Sequence, residues 1–406
     1  MRRRQFIQLG MLAGVPLAGP QLVFGRDTGK GSATRDILIV VFQRGAADGL
    51  NLLVPYNEGR YYDLRPTIAI APPGQNNGAL DLDGEFGLHP SLASLKPLYD
   101  QGDLGFVHAV GSPDDSRSHF DAQDFMDKGS LNKNAVFDGW LNRYLTQVSG
   151  DSGETFSAVG FGNALPLSLQ GATPSVGVRE LSDYALAAPA EQLPALRESI
   201  VDLFNRGDVM DVVSQNVLAS VDLLAAADPL SIPVDGGAVY PDTQFGRQMS
   251  QLAQLIKADL GLEMAAVDVG DWDHHDQERD ALEPLALDYA NALTAFHTDL
   301  GSRMDQITVV TMTEFGRRVA ENASAGTDHG HGSIMLAMGG GVNGGQVIRD
   351  WPGLREQDLY RGDLQVTTDW RTVLSEALLA RTDVASLEPI FPEFVGPTEV
   401  GLFQPR

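Results

Sequence analysis

Three short polar strings hold five of the chain's eight histidines: SRSHFD around His119, WDHHDQ around His274 and His275, and TDHGHG around His329 and His331. Each string also carries an acid. Imidazole together with carboxylate is the donor set that suits zinc, manganese or iron, and the same groups move protons near neutral pH. Asp273 and His275 stand two residues apart in one loop, so both can face a single cation. The glycines of TDHGHG let the backbone of Asp328, His329 and His331 approach a ligand closely. Ser118 beside His119, and Ser116 just before it, are candidate nucleophiles, with His119 as the catalytic imidazole or as a further ligand. Ser118 serves equally well as the cap of the helix that follows.

Other patterns weigh less. No G-x-S-x-G elbow is present, which disfavours an ordinary serine esterase. Gly339-Gly340-Gly341-Val342-Asn343-Gly344 has the form of a dinucleotide loop, but a strand follows it where a helix is needed, so it reads as a hairpin turn. His89, His108 and His297 read as local or core-edge residues.

Composition narrows the chemistry. There is no cysteine, which excludes disulfides, thiolate ligands and a cysteine nucleophile. Any metal must therefore be held by nitrogen and oxygen. A net charge of −25 makes nucleic acid and anionic membrane surfaces poor partners, because both need a basic face. At the N-terminus Arg2, Arg3 and Arg4 precede Gln5-Phe6-Ile7 and a weakly apolar run to Phe24, the pattern of a twin-arginine export signal over residues 1–25. Glycines and prolines interrupt that run, and it falls short of the roughly 20 apolar residues of a membrane span. The expected partner is the twin-arginine export machinery, which carries folded proteins, often with a cofactor in place. The expected location is periplasmic or secreted, with no membrane span in the mature chain and cleavage between Gly19 and Ala33.

The elements that must position these strings alternate in type. Ile37 to Phe42 is a continuous apolar run, suited to a strand buried on both faces, and it ends in a Gly45–Gly49 turn holding Asp48. Further strands are expected at Gly105–Val110, Glu263–Val269, Ile307–Met312 and Ser333–Met338. Helices are expected at Pro90–Gln101, Phe120–Lys128, Phe245–Asp259, Pro284–Met304 and Asp369–Leu379, the last capped by Asp369. Residues of about 150–242 read as a helical insertion, with helices at Glu191–Asn205 and Val209–Ala225. The expected fold is a single α/β domain over residues 36–400, a doubly wound, mostly parallel sheet with helices on both faces. Asp48, the Ser118 loop, Asp273 and Glu314 each follow a predicted strand, so they lie along one edge of such a sheet.

The ordered series of GAADGLN, HPSLASLKPLYDQGDLGFVHAVGSPDDSRSHFDAQDFMDKG, GDWDHHDQ, TEFGRR and GTDHGHGS, behind a twin-arginine leader, resembles the bacterial domain of unknown function 1501 family over about Ile37 to Leu379. That family is grouped with the alkaline phosphatase and sulfatase superfamily. The resemblance implies an alkaline phosphatase-like fold with a divalent-metal site, taking zinc, manganese, magnesium or calcium, that cleaves small or polymeric anionic esters of phosphate or sulfate. It places metal ligands at Asp48, Asp273 and His275, a nucleophile at Ser118 or Ser116, and, beyond a further Asp-His pair, a last histidine, with His119, His329 or His331 available to fill a missing ligand position. After the Ile307 strand, where relatives usually show Asp-His, this chain has Glu314-Phe315. Glu314 can replace the aspartate, but Phe315 cannot ligate. Two functions follow as expectations: an exported metal-dependent ester hydrolase, or a non-catalytic periplasmic binding or surface-assembly protein that keeps a metal site. A metal-dependent oxidoreductase is a third reading of the same donors.

Overall fold

A computed structural model describes residues 36–148, 155–204 and 209–405. The leader read in residues 1–25 lies outside the described residues. In chain order the strands are β1 (Ile37–Gln43), β2 (Leu53–Val54), β3 (Leu80–Asp81), β4 (Gly87–Leu88), β5 (Leu104–Gly111), β6 (Ala158–Phe161), β7 (Val176–Val178), β8 (Met264–Val269), β9 (Ile307–Met312), β10 (Ser333–Gly339), β11 (Val347–Ile348) and β12 (Thr368–Asp369). Nine of them form one sheet in the order β11-β5-β10-β9-β1-β8-β6-β7, with β12 also beside β5. β2, β4 and β3 make a small antiparallel sheet.

The continuous apolar runs sit where burial on both faces demands them. β1 lies at the sheet's centre, parallel to β8 on one side and β9 on the other. Because side chains alternate along a strand, Ile39 and Val41 point into one core and Leu38, Val40 and Phe42 into the other. Helices Gln244–Lys257 and Glu278–Leu300 cover the first face with Met249, Leu252, Leu293 and Phe296. Helices His119–Lys128, Trp140–Val148 and Trp370–Arg381 cover the second with Met126, Leu141, Trp370 and Leu374. Each such side chain contributes roughly 1.5–3 kcal/mol when fully buried, so this two-sided packing, and not helix propensity, fixes the architecture. The expected doubly wound, mostly parallel α/β sheet is what the chain forms.

Three local features differ from expectation. β10 runs antiparallel to both β5 and β9. Its first residues, not its last, therefore lie at the edge where β1, β8 and β9 end, and the TDHGHG string reaches that edge by preceding its strand. β11 pairs in parallel with β5, not with β10, so the glycine-rich stretch before it is a crossover instead of a hairpin. A Cβ at Gly344 would lie 2.5 Å from the Gly102 carbonyl oxygen, which accounts for a glycine there. Finally, the stretch read as a helical insertion holds helices Leu193–Phe204 and Val209–Ala227 but also β6 and β7, which extend the sheet beside β8. Strands of four and three residues are too short for a two-residue period to show.

No described helix is long and apolar enough to cross a membrane.

Candidate metal centre

Four donors from three distant strings meet at the sheet edge. His119 opens the helix that follows β5. Asp273 and His275 lie in the loop after β8, and His329 in the loop before β10. The Nε2 atom of His329 lies 3.0 Å from Nε2 of His119 and 3.0 Å from Nε2 of His275. Asp273 completes the group, with its carboxylate oxygens 3.0 Å from His275 Nε2, 3.3 Å from His329 Nε2 and 3.5 Å from His119 Nε2. Zinc–nitrogen bonds in a tetrahedral site set ligand atoms about 3.3 Å apart, close to the separations within the His119, Asp273 and His329 group. His119, Asp273 and His329 each offer a ligand atom within 4.8 Å of the other two, a spacing one cation can span.

The opposite ring nitrogens decide what the four can do. His119 Nδ1 lies 2.8 Å from Glu314 Oε1, His329 Nδ1 3.0 Å from the Arg117 carbonyl oxygen, and His275 Nδ1 3.5 Å from Asp328 Oδ1. A carbonyl or carboxylate can only accept, so the hydrogen bonds of His119 and His329 place the proton of the neutral ring on Nδ1 and leave a lone pair on Nε2. The Nε2 lone pairs of His119 and His329 and the Asp273 carboxylate then lie within reach of one cation, with His275 Nε2 3.0 Å from His329. Such a constellation calls for a cation, and the outer acceptors are the second shell that orients metal-binding imidazoles.

Charges around the centre pull its imidazoles in opposite directions. The hydrogen bond with Glu314 raises the His119 pKa above the ordinary histidine value, against the effect of burial. Burial lowers that of His329, favouring the neutral ring. For Asp273 burial pulls the pKa upward, but Arg317, His275 and His119 outweigh it and hold the carboxyl below its usual range. Glu314 is wholly buried; the hydrogen bonds from His119, Gln123 and the Gly45 N–H outweigh that burial and likewise keep it ionised. Arg317 is the internal counter-charge. Its guanidinium donates to the carbonyls of Gly45, Ala46, Trp272 and Thr327 and to Asp273 Oδ1, the oxygen that also lies nearest His275 and His329, while Oδ2 faces His119.

Close backbone contact makes this possible. Gly45 has φ +122°, and a Cβ there would lie 2.7 Å from the Asp273 nitrogen. At Gly330 a Cβ would lie 2.2 Å from the Arg317 carbonyl carbon, so the His329 loop can stack on the Arg317 segment only with glycine at that position.

Of the residues singled out from the sequence, His119, Asp273, His275 and His329 come together at the centre. Glu314 and Asp328 lie one step out, against ring nitrogens of His119 and His275. Asp48 and His331 do not join them. Asp48 is buried against Arg65, which donates to both of its oxygens, while Asp48 Oδ1 also caps the helix Gly49–Leu52. His331 turns its Nε2 to the Ser112 carbonyl, 2.8 Å away. Phe315 is buried and walls the site, its ring centroid 5.0 Å from those of His119 and His329. Ser118 caps helix His119–Lys128, accepting from the Asp121 N–H at 3.4 Å, and exposed Ser116 donates to Asp114. Arg317, Arg65, Arg117 and Gln123 escaped the sequence reading. Arg317, Arg117 and Gln123 stand inside the motifs quoted there without an assigned role, and Arg65 stands in none of them.

The family described as "Protein of unknown function (DUF1501)" matches residues 35–369. The chain belongs to the DUF1501 family. The DUF1501 match contains every residue of the centre. No curated protein matches the chain. Among solved structures it is similar to the zinc complex of the C-terminal periplasmic domain of EcEptC from Escherichia coli, at 8% identity and TM-score 0.36, over 75% of this chain and 73% of that one. It is also similar to alkaline phosphatase from the Antarctic bacterium TAB5, at 11% identity and TM-score 0.33, over 78% of this chain and 95% of that one. A third is the lipoteichoic acid synthase LtaP from Listeria monocytogenes, at 9% identity and TM-score 0.36, over 83% and 75%.

Proposed function

We propose that this DUF1501 protein is an exported, metal-dependent hydrolase of phosphate or sulfate esters. The observation that carries the reading is the meeting of the His119 and His329 Nε2 atoms and the Asp273 carboxylate at a half-open strand edge, with His275 beside His329 and the Nδ1 of His119 and of His329 each hydrogen-bonded to an acceptor. Three nitrogens with one carboxylate favour zinc or manganese over magnesium or calcium, which prefer all-oxygen sites. Asp273 and His275 are each about two-fifths exposed, so an anionic ester can reach the centre from solvent. A bound divalent ion would supply Lewis acidity toward the ester's non-bridging oxygen. Around it, Arg317 fixes Asp273, Glu314 fixes the His119 ring, and Phe315 keeps water off the inner faces of His119 and His329. The twin-arginine pattern supports export to the periplasm.

The test begins with protein recovered from the periplasm of a host that exports it, with Arg3→Lys/Arg4→Lys expected to leave it in the cytoplasm. Elemental analysis should find stoichiometric metal. A panel of phospho- and sulfo-esters should find turnover that is lost on chelation and restored by zinc or manganese. Folded protein without metal, and without activity under any divalent ion, overturns the proposal.

One observation favours the second reading, a binding or surface-assembly protein: among the described residues, neither Ser116 nor Ser118 hydrogen-bonds to an imidazole. Ser118→Ala separates the two. If Ser118 is the nucleophile, turnover falls by at least about 1,000-fold with metal retained. If it is only a cap, stability drops by about 1 kcal/mol and any turnover persists.

A further inference from the structure

The turn Tyr360–Asp363 lies outside the donor set, yet it grips the loop from which two of the centre's contacts come. We propose that Asp363 and Tyr360 are positioning residues for the metal centre. They hold the 112–118 loop so that Arg117 keeps a left-handed backbone, with its carbonyl on His329 and Ser118 capping the helix that presents His119. The proposal rests on the metal reading above.

The turn itself is rigid. Tyr360 and Asp363 exchange two backbone hydrogen bonds of 3.0 Å, and the residues between them, Arg361 and Gly362, have φ of +55° and +89°. That is a two-residue turn with both central residues left-handed, the type that closes tight hairpins. Three side-chain links cross from it to the loop. Tyr360 Oη donates to Asp115 Oδ2 at 2.7 Å, Arg361 Nη1 donates to the same oxygen at 2.8 Å, and Arg117 Nη2 donates to Asp363 Oδ2. The Asp363 carboxylate is completely buried, so water does not screen its pull on Arg117 as it would at the surface.

Arg117 needs such a hold. Its φ is +52°, a conformation that costs any residue with a Cβ and persists only where the surroundings impose it. In this conformation its carbonyl accepts from His329 Nδ1 while the next residue begins the His119 helix. The same carboxylate also faces the other arm of the site. Arg318 Nε lies 3.6 Å from Asp363 Oδ1, and the Arg318 N–H donates to the Asp328 carbonyl. One buried acid thus ties together the segments on both sides of His329.

The test uses three full-length variants, each titrated with zinc after removal of metal, at temperatures well below its melting midpoint. Asp363→Asn keeps the shape and removes the charge. Arg117→Gly removes the side chain but tolerates the left-handed backbone, whereas Arg117→Ala removes the side chain and disfavours that backbone. Zinc affinity is expected to fall roughly tenfold or more in Asp363→Asn and in Arg117→Ala, with Arg117→Gly between wild type and Arg117→Ala. In metal-free protein, trypsin should cut after Arg117 faster in Asp363→Asn than in wild type. Zinc affinity of Asp363→Asn within twofold of wild type overturns the proposal, as does equal weakening by the two Arg117 variants. Wild-type protein that takes up no zinc defeats the metal reading instead. In that case the trypsin comparison alone decides, and unchanged cleavage refutes the clamp.

Discussion

The His329→Ala protein is expected to lose stoichiometric metal altogether, with at least a 100-fold drop in affinity and no metal-dependent rise in melting temperature. His329 is the hub of the centre: its Nε2 is 3.0 Å from both other imidazole nitrogens and 3.3 Å from Asp273 Oδ1. Removing it leaves His119 and His275 without the ring that lies between them. Glu314→Gln should be milder, because Glu314 acts only through the His119 ring. Losses of about 10- to 100-fold are usual for such outer contacts. The stability readout follows from linkage, since metal at 100 times its dissociation constant stabilises the fold by about 2.7 kcal/mol. Wild type should show that gain on zinc addition and His329→Ala should not. Equal zinc affinity in the two proteins removes His329 from the ligand set, and with it the geometry on which the hydrolase proposal depends.

Much of this centre was legible in the sequence because its parts are local. A buried run such as Ile37–Phe42 announces its strand by hydrophobicity alone, and polar strings placed after such runs must collect at one sheet edge. His119, Asp273, His275 and His329 were found that way. What escaped is what depends on tertiary partners. The strand ends do not show that Asp48 will meet Arg65, because that pair forms only when the Gly59–Leu64 segment folds back over the turn. His331 is two residues from His329, and nothing in their spacing tells which ring faces the centre. The antiparallel run of β10 decides it, together with the Ser112 carbonyl that accepts a hydrogen bond from His331 Nε2. The Gln346-Val347-Ile348 stretch was correctly read as a strand, but its partner was not, because a strand's sequence carries little information about which edge it joins.

Asp48→Ala is expected to cost about 3–5 kcal/mol of folding stability while leaving metal stoichiometry unchanged. Both halves of that outcome come from Arg65. Its guanidinium is completely buried, donates to both Asp48 oxygens and is otherwise held by the carbonyls of Val319 and Arg318. Losing Asp48 strands a buried cation, and it also uncaps the helix Gly49–Leu52, whereas no donor of the centre touches Asp48. Glu278 limits the damage. Its carboxyl is buried near the pair, accepts from Asn51 and Thr327, and is raised well above the ordinary value, first by burial and then by Asp48. With Asp48 gone, Glu278 can ionise and serve Arg65 in its place, so the cost should fall toward the lower figure at high pH. The sign follows from proton counting. Native Glu278 keeps its proton after the unfolded chain has released one, so wild-type stability declines as pH rises from about 4.3 toward the raised Glu278 value. Asp48 works the other way: burial opposes its ionisation, but Arg65 and Glu278 hold its pKa below the usual range. The stability it contributes is present above about pH 3.9 and is lost as pH falls through its folded-state value. Asp48→Ala should therefore flatten the decline that Glu278 imposes on wild type. Urea unfolding at a series of pH values, run beside elemental analysis, reads both. Lost metal with unchanged stability would make Asp48 a ligand and Arg65 a bystander.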